Sequence, residues 1–338
     1  MKSRPTAQDV ANLAEVSQSA VSRCFTPGTS VSDKTREKVL CAAIKLGYRP
    51  NAIARSLSTK QSRMIALVMS YLDNQFYPLA VEYLSQELQK KGYHVLLFIG
   101  EKNNFDADAI LLEILQYQVD GIVMASATLS PSLAKSCASS GVPVVLFNRL
   151  SALGKNNLSN TSSVTSDNYL GGKIVAKALA MRGYKKIAFI SGLENSSTSV
   201  QREQGLMDGL KEYGLSLYLR SVGHYDFKKA QEATRVLFSS TTVPDAIFVA
   251  NDHMAIAAMD TIRDELHLRI PEDVGMIGFD NIPQAAWASY QLTTIYQDIH
   301  QMVNATVQVL LNQIQQPIKP EHILIPCDII ERKTLRPL

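Results

Sequence analysis

Tyr48-Arg49-Pro50-Asn51-Ala52-Ile53-Ala54-Arg55-Ser56-Leu57-Ser58-Thr59-Lys60 divides this 338-residue chain into two unlike parts. A small basic segment with helical patterning precedes it, and a long run of alternating strand and helix patterns follows. Within the stretch, Pro50 ends the preceding helix and holds Arg49 extended, while Asn51 is placed to cap a short helix over residues 52–57. That helix makes only about two turns, and so short a helix is marginal in water without a partner. A passive linker is the competing reading, but the Gly- and Ser-rich composition of such linkers is missing.

Charge follows the same division. Residues 1–60 carry ten Lys or Arg (2, 4, 23, 34, 36, 38, 45, 49, 55, 60) against four acids (9, 15, 33, 37), a net +6, and the overall +3 leaves −3 for the remainder. A basic head on a faintly acidic body suits a nucleic-acid partner, because phosphate neutralisation supplies much of the affinity. The hydrophobic fraction of 46% and charged fraction of 19% belong to a globular protein with real cores, and two to three domains are expected at this length. No apolar run is long enough to cross a membrane. Met1-Lys2-Ser3-Arg4-Pro5 leads into an amphipathic segment without the apolar core of a signal peptide, so a cytoplasmic location is expected. Cys24, Cys41, Cys137 and Cys327 are scattered singly, which suggests neither a disulfide framework nor zinc. Cys24 and Cys41 read as small buried apolar residues.

In the head, Thr6-Ala7-Gln8-Asp9 reads as a variant capping box, opening a helix with Val10, Leu13 and Ala14 on one face. Ser17 caps a second helix over 18–25, with Ala20, Val21 and Phe25 inward. Ser32 caps a third that ends at Gly47, with Val39, Leu40, Ala43 and Ile44 inward. Two short helices joined by a tight turn make a helix-turn-helix, whose second helix places its first side chains in a major groove. Gln18, Ser19, Ser22 and Arg23 are the available readers: Gln bonds an adenine edge in bidentate fashion, Arg does so to guanine, and Ser is permissive.

The ordered set Asp9-Val10-Ala11, Val16-Ser17, Val21-Ser22-Arg23, Val31-Ser32, Thr35-Arg36, Gly47-Tyr48, Pro50-Asn51, Ala54-Arg55 and Ser56-Leu57 resembles the LacI/GalR family of transcriptional regulators. The likeness is continuous over the head and looser to the C-terminus. It implies a homodimer on double-stranded, near-palindromic operator DNA, with Thr6, Ser17, Gln18, Ser19, Ser22, Arg23, Ser32, Thr35 and Tyr48 as the head's DNA-contacting positions. In the hinge it implies Asn51, Ala54, Arg55 and Leu57, with Leu57 as a wedge between base pairs in the minor groove. No cofactor is implied.

From Met64 onward the pattern is α/β. Apolar strand candidates are 64–69, 94–99, 121–125, 142–147, 187–190, 246–250 and 274–279, with helical runs between them such as Leu79 to Lys91. Apolar strands alternating with amphipathic helices indicate parallel sheets covered on both faces. The family likeness adds the two-lobed periplasmic-binding-protein-like architecture with three crossings. The expected organisation is a helix-turn-helix domain over 1–48, a hinge helix over 49–60, and an effector-binding and dimerisation core over 61–338. Its first lobe is expected at about 61–160 and 294–325 and its second at about 161–291 and 326–338. The Asn- and Ser-rich stretch 156–163 and the stretch 291–294 are the expected crossings.

Ligands in open parallel sheets bind beyond the carboxyl ends of the strands, which nominates Ser70, Asp73, Asn148, Arg149, Ser191, Asn251, Asp252, Asp280 and Asn281. The resemblance implies Phe76, Tyr77, Asn148, Thr198, Arg202, Tyr225, Asn251 and Asp280 as effector-contacting positions. Carboxylate, amide and guanidinium groups beside aromatic faces suit a sugar or sugar derivative. Asn74-Gln75-Phe76 departs from the Asn-Pro-Phe of many relatives, which puts that loop's shape in doubt. The loop Asn195-Ser196-Ser197-Thr198-Ser199-Val200 brings no arginine of its own, which weighs slightly against a phosphorylated sugar. The six histidines have no metal-ligand spacing, and Gly171-Gly172-Lys173 lacks the frame of a phosphate loop, so it reads as helix packing. The expected function is a transcriptional regulator, most often a repressor in the family, and not an enzyme. A sugar-binding transport component and an α/β enzyme with a helical appendage are the rivals, separable by specific, salt-dependent binding to a palindrome.

Overall fold

A computed structural model describes residues 5–26, 28–50, 61–70, 72–100, 107–125, 137, 139–150, 161–239, 242–316 and 318–338. The chain forms two compact units, Met1–Ser62 and Arg63–Leu338.

The first unit holds helices α1 (Ala7–Ala14), α2 (Gln18–Cys24) and α3 (Asp33–Leu46). Each start is capped by a side chain. The Thr6 hydroxyl accepts from the Asp9 amide at 3.3 Å while the Asp9 carboxylate accepts from the Thr6 amide at 2.8 Å, and that backbone donor holds the Asp9 carboxyl below its usual range. Ser17 accepts from Ala20 and Ser32 from Thr35. Gly47, at φ +66°, ends α3 in the left-handed region that favours glycine. The shared core is Val10, Ala11, Ala14, Val21, Cys24, Val39, Ala42 and Ala43. Leu13, Leu40 and Ile44, expected inside, are instead 50%, 41% and 80% exposed. The helical period sets 39, 42 and 43 on one side and carries 40 and 44 about 100° round it. Cys41, on the same outer side, is exposed, while Cys24 is buried.

The second unit contains two six-stranded sheets. The first comprises β1 (Met64–Met69), β2 (His94–Ile99), β3 (Gly121–Ala125), β4 (Val144–Phe147), β5 (Ser162–Ser166) and β11 (His322–Ile325), in the order β11-β5-β4-β3-β1-β2. The second comprises β6 (Ile187–Ser191), β7 (Leu219–Val222), β8 (Ala246–Val249), β9 (Gly275–Asp280), β10 (Thr293–Gln297) and β12 (Cys327–Ile330), in the order β12-β10-β9-β8-β6-β7. The two orders are the same, and all pairings are parallel except β10 with β12. Helices α4 (Phe76–Lys90) and α5 (Ala107–Gln116) follow the first two strands of the first sheet. Helices α6 (Asn168–Met181), α7 (Ser197–Glu212), α8 (Phe227–Phe238) and α9 (Asp252–Asp260) belong to the second lobe, and α10 (Ile299–Gln315) packs on α4 and the first sheet.

The lobe boundaries differ from those expected. Residues 162–166 pair in the first sheet and 293–297 in the second, so the chain changes lobe at Asp167, at Asp298 and between β11 and β12. Asp167 and Asp298 do the same job: each follows a strand of one lobe with ψ near 81° or 86° and caps the next helix, which belongs to the other, accepting from Leu170 and Gln301 at 2.9 Å. The sequence of β5, Ser-Ser-Val-Thr-Ser, looks like a loop, yet all five residues are buried. Its hydroxyls are satisfied internally: Ser162 accepts from Gln313 and the Glu321 amide, Ser163 pairs with His322, and Thr165 accepts from Asn168. A buried polar strand is stable once its donors and acceptors are matched.

Candidate functional site: a cleft between two lobes

Loops at the carboxyl ends of both sheets form one cleft, lined by Asn74, Tyr77, Asn148, Arg149, Thr198, Arg202, Tyr225, Asn251 and Asp280. Seven of the eight positions expected to contact an effector therefore come together. Phe76 does not line the cleft; it is buried and stacks on Phe147 with ring centroids 6.2 Å apart. That packing fixes the start of α4 and so the Tyr77 ring beside it.

The second lobe supplies the charged centre. Arg202 projects from α7 with its guanidinium 3.5 Å over the Phe279 ring. Its Nε donates to Asn168 Oδ1 at 2.8 Å, its Nη1 donates to the Ala250 carbonyl, and Nη1 lies 3.6 Å from Asp280 Oδ1. Asp280 ends β9 at φ 116° and accepts from Asn74 Nδ2 at 3.1 Å and from Gln297 Nε2 at 2.7 Å. Burial nevertheless pushes its carboxyl up to about 6, against the opposing pull of Arg202 and the two amide donors. Behind it, Asp252 is buried and braces the site, accepting from the Ile282 amide at 3.0 Å and the Thr294 hydroxyl at 2.6 Å. Burial and the neighbouring Asp280 hold the Asp252 carboxyl well above its usual range. Asn251 caps α9 through Oδ1, which accepts from the Met254 amide at 3.1 Å.

The first lobe reaches across. Arg149 Nη1 donates to the Thr198 hydroxyl at 2.9 Å, the Leu150 amide donates to the Ser197 hydroxyl at 3.0 Å, and Asn74 reaches Asp280. The Thr198 hydroxyl also lies 3.0 Å from that of Tyr225. The loop at Asn74 is orderly without a proline: Asn74 Oδ1 accepts from the Phe76 amide, and Gln75 sits at φ −60°, the value a proline would impose. Of the other strand-end nominees, Ser191 bonds the Ser221 carbonyl and Asn281 accepts from Arg332, so both serve the second lobe internally.

Asn168 and Gln297 orient Arg202 and Asp280 but were not expected. Both stand at carboxyl ends of strands, β5 and β10, whose polarity hid them. The strand-end rule finds them once those strands are read.

In the first unit, Thr6, Ser17, Gln18, Ser19, Ser22, Arg23 and Ser32 are all exposed, with Thr35 and Tyr48 half-buried. Gln18, Ser19, Ser22 and Arg23 stand on α2, which is a geometry for reading a groove. The hinge positions Asn51, Ala54, Arg55 and Leu57 lie outside the described residues.

Comparison with known proteins places this arrangement. Residues 6–51 match the family described as bacterial regulatory proteins, lacI family, and residues 176–335 match a periplasmic binding protein-like domain. The ribose operon repressor of Lactococcus lactis subsp. lactis (strain IL1403) is 31% identical over 333 residues, 98% of each chain. The crystal structure of the lac repressor dimer bound to operator and the anti-inducer ONPF superposes with a TM-score of 0.87 at 27% identity, covering 98% of this chain and 99% of that one. The transcriptional regulator CelR in complex with cellobiose gives a TM-score of 0.73 at 28% identity, covering 98% and 100%. A capped helix-turn-helix head, two like-ordered sheets around a polar cleft and full-length similarity to operon repressors agree: the chain belongs to the lacI family of bacterial regulatory proteins, which act on DNA and are not enzymes.

Proposed function

We propose that this chain is a cytoplasmic, homodimeric repressor that binds a near-palindromic operator with a grip set by a small sugar-like effector held between the two lobes of its core. The observation that supports this most is the bonding across the cleft. Asn74 to Asp280 and Arg149 to Thr198 join one lobe to the other, so a ligand that exchanges these bonds for its own alters how the lobes are held. Such a ligand shifts the balance between two arrangements only by its differential affinity for them. Asp280, Asn148 and Asn251 suit hydroxyl groups, and Tyr77 and Tyr225 offer ring faces to an apolar sugar face. The relatives point the same way: a ribose operon repressor and a regulator holding cellobiose. In the head, Gln18, Ser19, Ser22 and Arg23 read bases, and in the hinge Leu57 wedges the minor groove open.

Selection of duplexes from a random pool by the purified chain tests the whole. The expected product is a palindrome whose affinity falls linearly on a log–log plot with salt, by about 0.9 for each phosphate contacted. Gln18→Ala is expected to relax base preference within each half-site. Leu57→Ala is expected to weaken the selected site more than random DNA. Recovery of no palindrome overturns the operator-binding function.

A further inference from the structure

Asp280 closes β9 where the lobes meet, and it is 5% exposed. Its two oxygens are held from different sides. Oδ1 accepts from Gln297 Nε2 of its own lobe at 2.7 Å and has Arg202 Nη1 3.6 Å away, while Oδ2 accepts from Asn74 Nδ2 of the other lobe at 3.1 Å. Arg149 and Tyr77 face it from the first lobe, the arginine favouring its charge, and Asp252 faces it from within the second. The Asp252 carboxylate occupies the place that a Cβ on Gly278 would take, and Gly278 and Asp280, two apart on β9, present the same face. Two buried carboxyls side by side do not both ionise cheaply. The bonds of Asp252 to Ile282 and Thr294 lie inside the second lobe, so its surroundings do not depend on where the first lobe stands. Those of Asp280 do.

The two amides at Asp280 differ in their freedom. Asn74 is fixed, because its Oδ1 accepts from the Phe76 amide. Gln297 is not: its Oε1 is buried without a hydrogen-bond partner, so a half-turn of the amide exchanges one unpaired atom for the other and sets Oε1 opposite the carboxyl. Asp280 is therefore served in either form. Ionised, it accepts from both amides. Protonated on Oδ1, it donates to Gln297 Oε1 while Oδ2 still accepts from Asn74. Parting the lobes would admit water to the carboxyl, which favours its charge, and withdraw the Asn74 donor, which disfavours it. Exclusion from water is the larger effect, so the joined arrangement is the one that favours the proton.

We propose that Asp280 is a proton switch at the seam between the lobes: joining them takes up a proton there, Gln297 turns to receive it, and acid thereby shifts the chain's grip on its operator. The inference rests on the lobe-controlled operator binding proposed for this chain.

Binding of the full chain to its selected duplex between about pH 5 and pH 7.5, at constant salt, without added sugar and beside random DNA of equal length, tests it. All six histidines lie beyond residue 60, so the head has no imidazole to titrate in this range. The ratio of specific to random affinity is expected to change by about 5-fold or more, with a slope of log K against pH no steeper than about one, as a single proton requires. A change of either sign supports the switch, and the sign identifies which arrangement grips DNA. Asp280→Asn is expected to abolish the pH dependence. Asn74→Ala, which takes a donor from the ionised form, is expected to move the midpoint to higher pH, a displacement that a merely structural role does not produce. Urea midpoints of both variants separate loss of the switch from loss of the fold. A ratio flat in pH, a pH dependence unchanged in Asp280→Asn, or a midpoint that Asn74→Ala leaves in place or lowers overturns the switch and leaves operator binding standing. Failure to select any palindrome overturns both.

Discussion

Asp280 loses more by leaving water than it recovers from Arg202, Asn74 and Gln297, so its carboxyl titrates near about 6 instead of its ordinary 3.8. Between those values the folded core keeps a proton that the unfolded chain has released. The unfolded state then binds fewer protons, and stability falls as pH rises through that window. The contribution is full below the lower value and lost above the higher one, and Asp252, also pushed upward, acts with the same sign. A displacement of about two units corresponds to something on the order of 3 kcal/mol. The core is therefore expected to lose resistance to urea between about pH 4 and pH 6, and Asp280→Asn to flatten that decline. The variant keeps one acceptor oxygen for Gln297 or Asn74, so the fold should survive. An unchanged slope in Asp280→Asn would show that Asp280 is not the group responsible.

Helix α6 lies on α7 through glycines on both helices. A Cβ on Gly205 would fall on the Tyr169 carbonyl oxygen, and one on Gly172 would fall on that of Arg202. Backbone meeting backbone leaves no flexible side chain to yield, so Gly205→Ala must drive the two helices apart. The expected cost is on the order of 3 kcal/mol, seen as a lower urea midpoint with the slope m unchanged. Because α7 carries both Thr198 and Arg202, ligand-induced stabilisation should fall with it; a variant as stable as the parent would mean that the contact is not tight. Gly171-Gly172 was legible as packing because it lacks the frame of a phosphate loop. The apolar strands β1, β2 and β3 were legible residue for residue, since runs such as Met64-Ile65-Ala66-Leu67-Val68-Met69 have no other stable place than a covered sheet. Strands β5 and β10 were not, because Ser162, Ser163, Thr293 and Thr294 are buried by virtue of partners far along the chain. Periodicity sees local order only, and a hydroxyl satisfied from more than a hundred residues away leaves no local trace. Losing those two strands displaced both lobe boundaries and hid Asn168 and Gln297.

At the scale of the whole molecule, the first sheet ends at an edge strand that, among the described residues, is paired on one side only. Strand β2 closes the order β11-β5-β4-β3-β1-β2, and Leu97 and Ile99, two apart and so on one face of the strand, are 42% and 52% exposed. Monomeric proteins blunt such edges with charge, proline or a covering element, because an apolar edge pairs with another chain. A second copy of this chain is the occupant that a two-fold operator calls for: each head reads one half-site, and joining two heads converts the second contact into an intramolecular one. Replacing Leu97 and Ile99 together by Glu is then expected to turn a dimer into a monomer of 37.2 kDa by sedimentation. Affinity for the full operator should fall by about 100-fold or more, the usual scale of lost avidity, while binding to an isolated half-site stays as it was. Retention of the dimer would move the interface away from β2. A monomer that still held the full operator tightly would show instead that the two half-sites are read without help from the core.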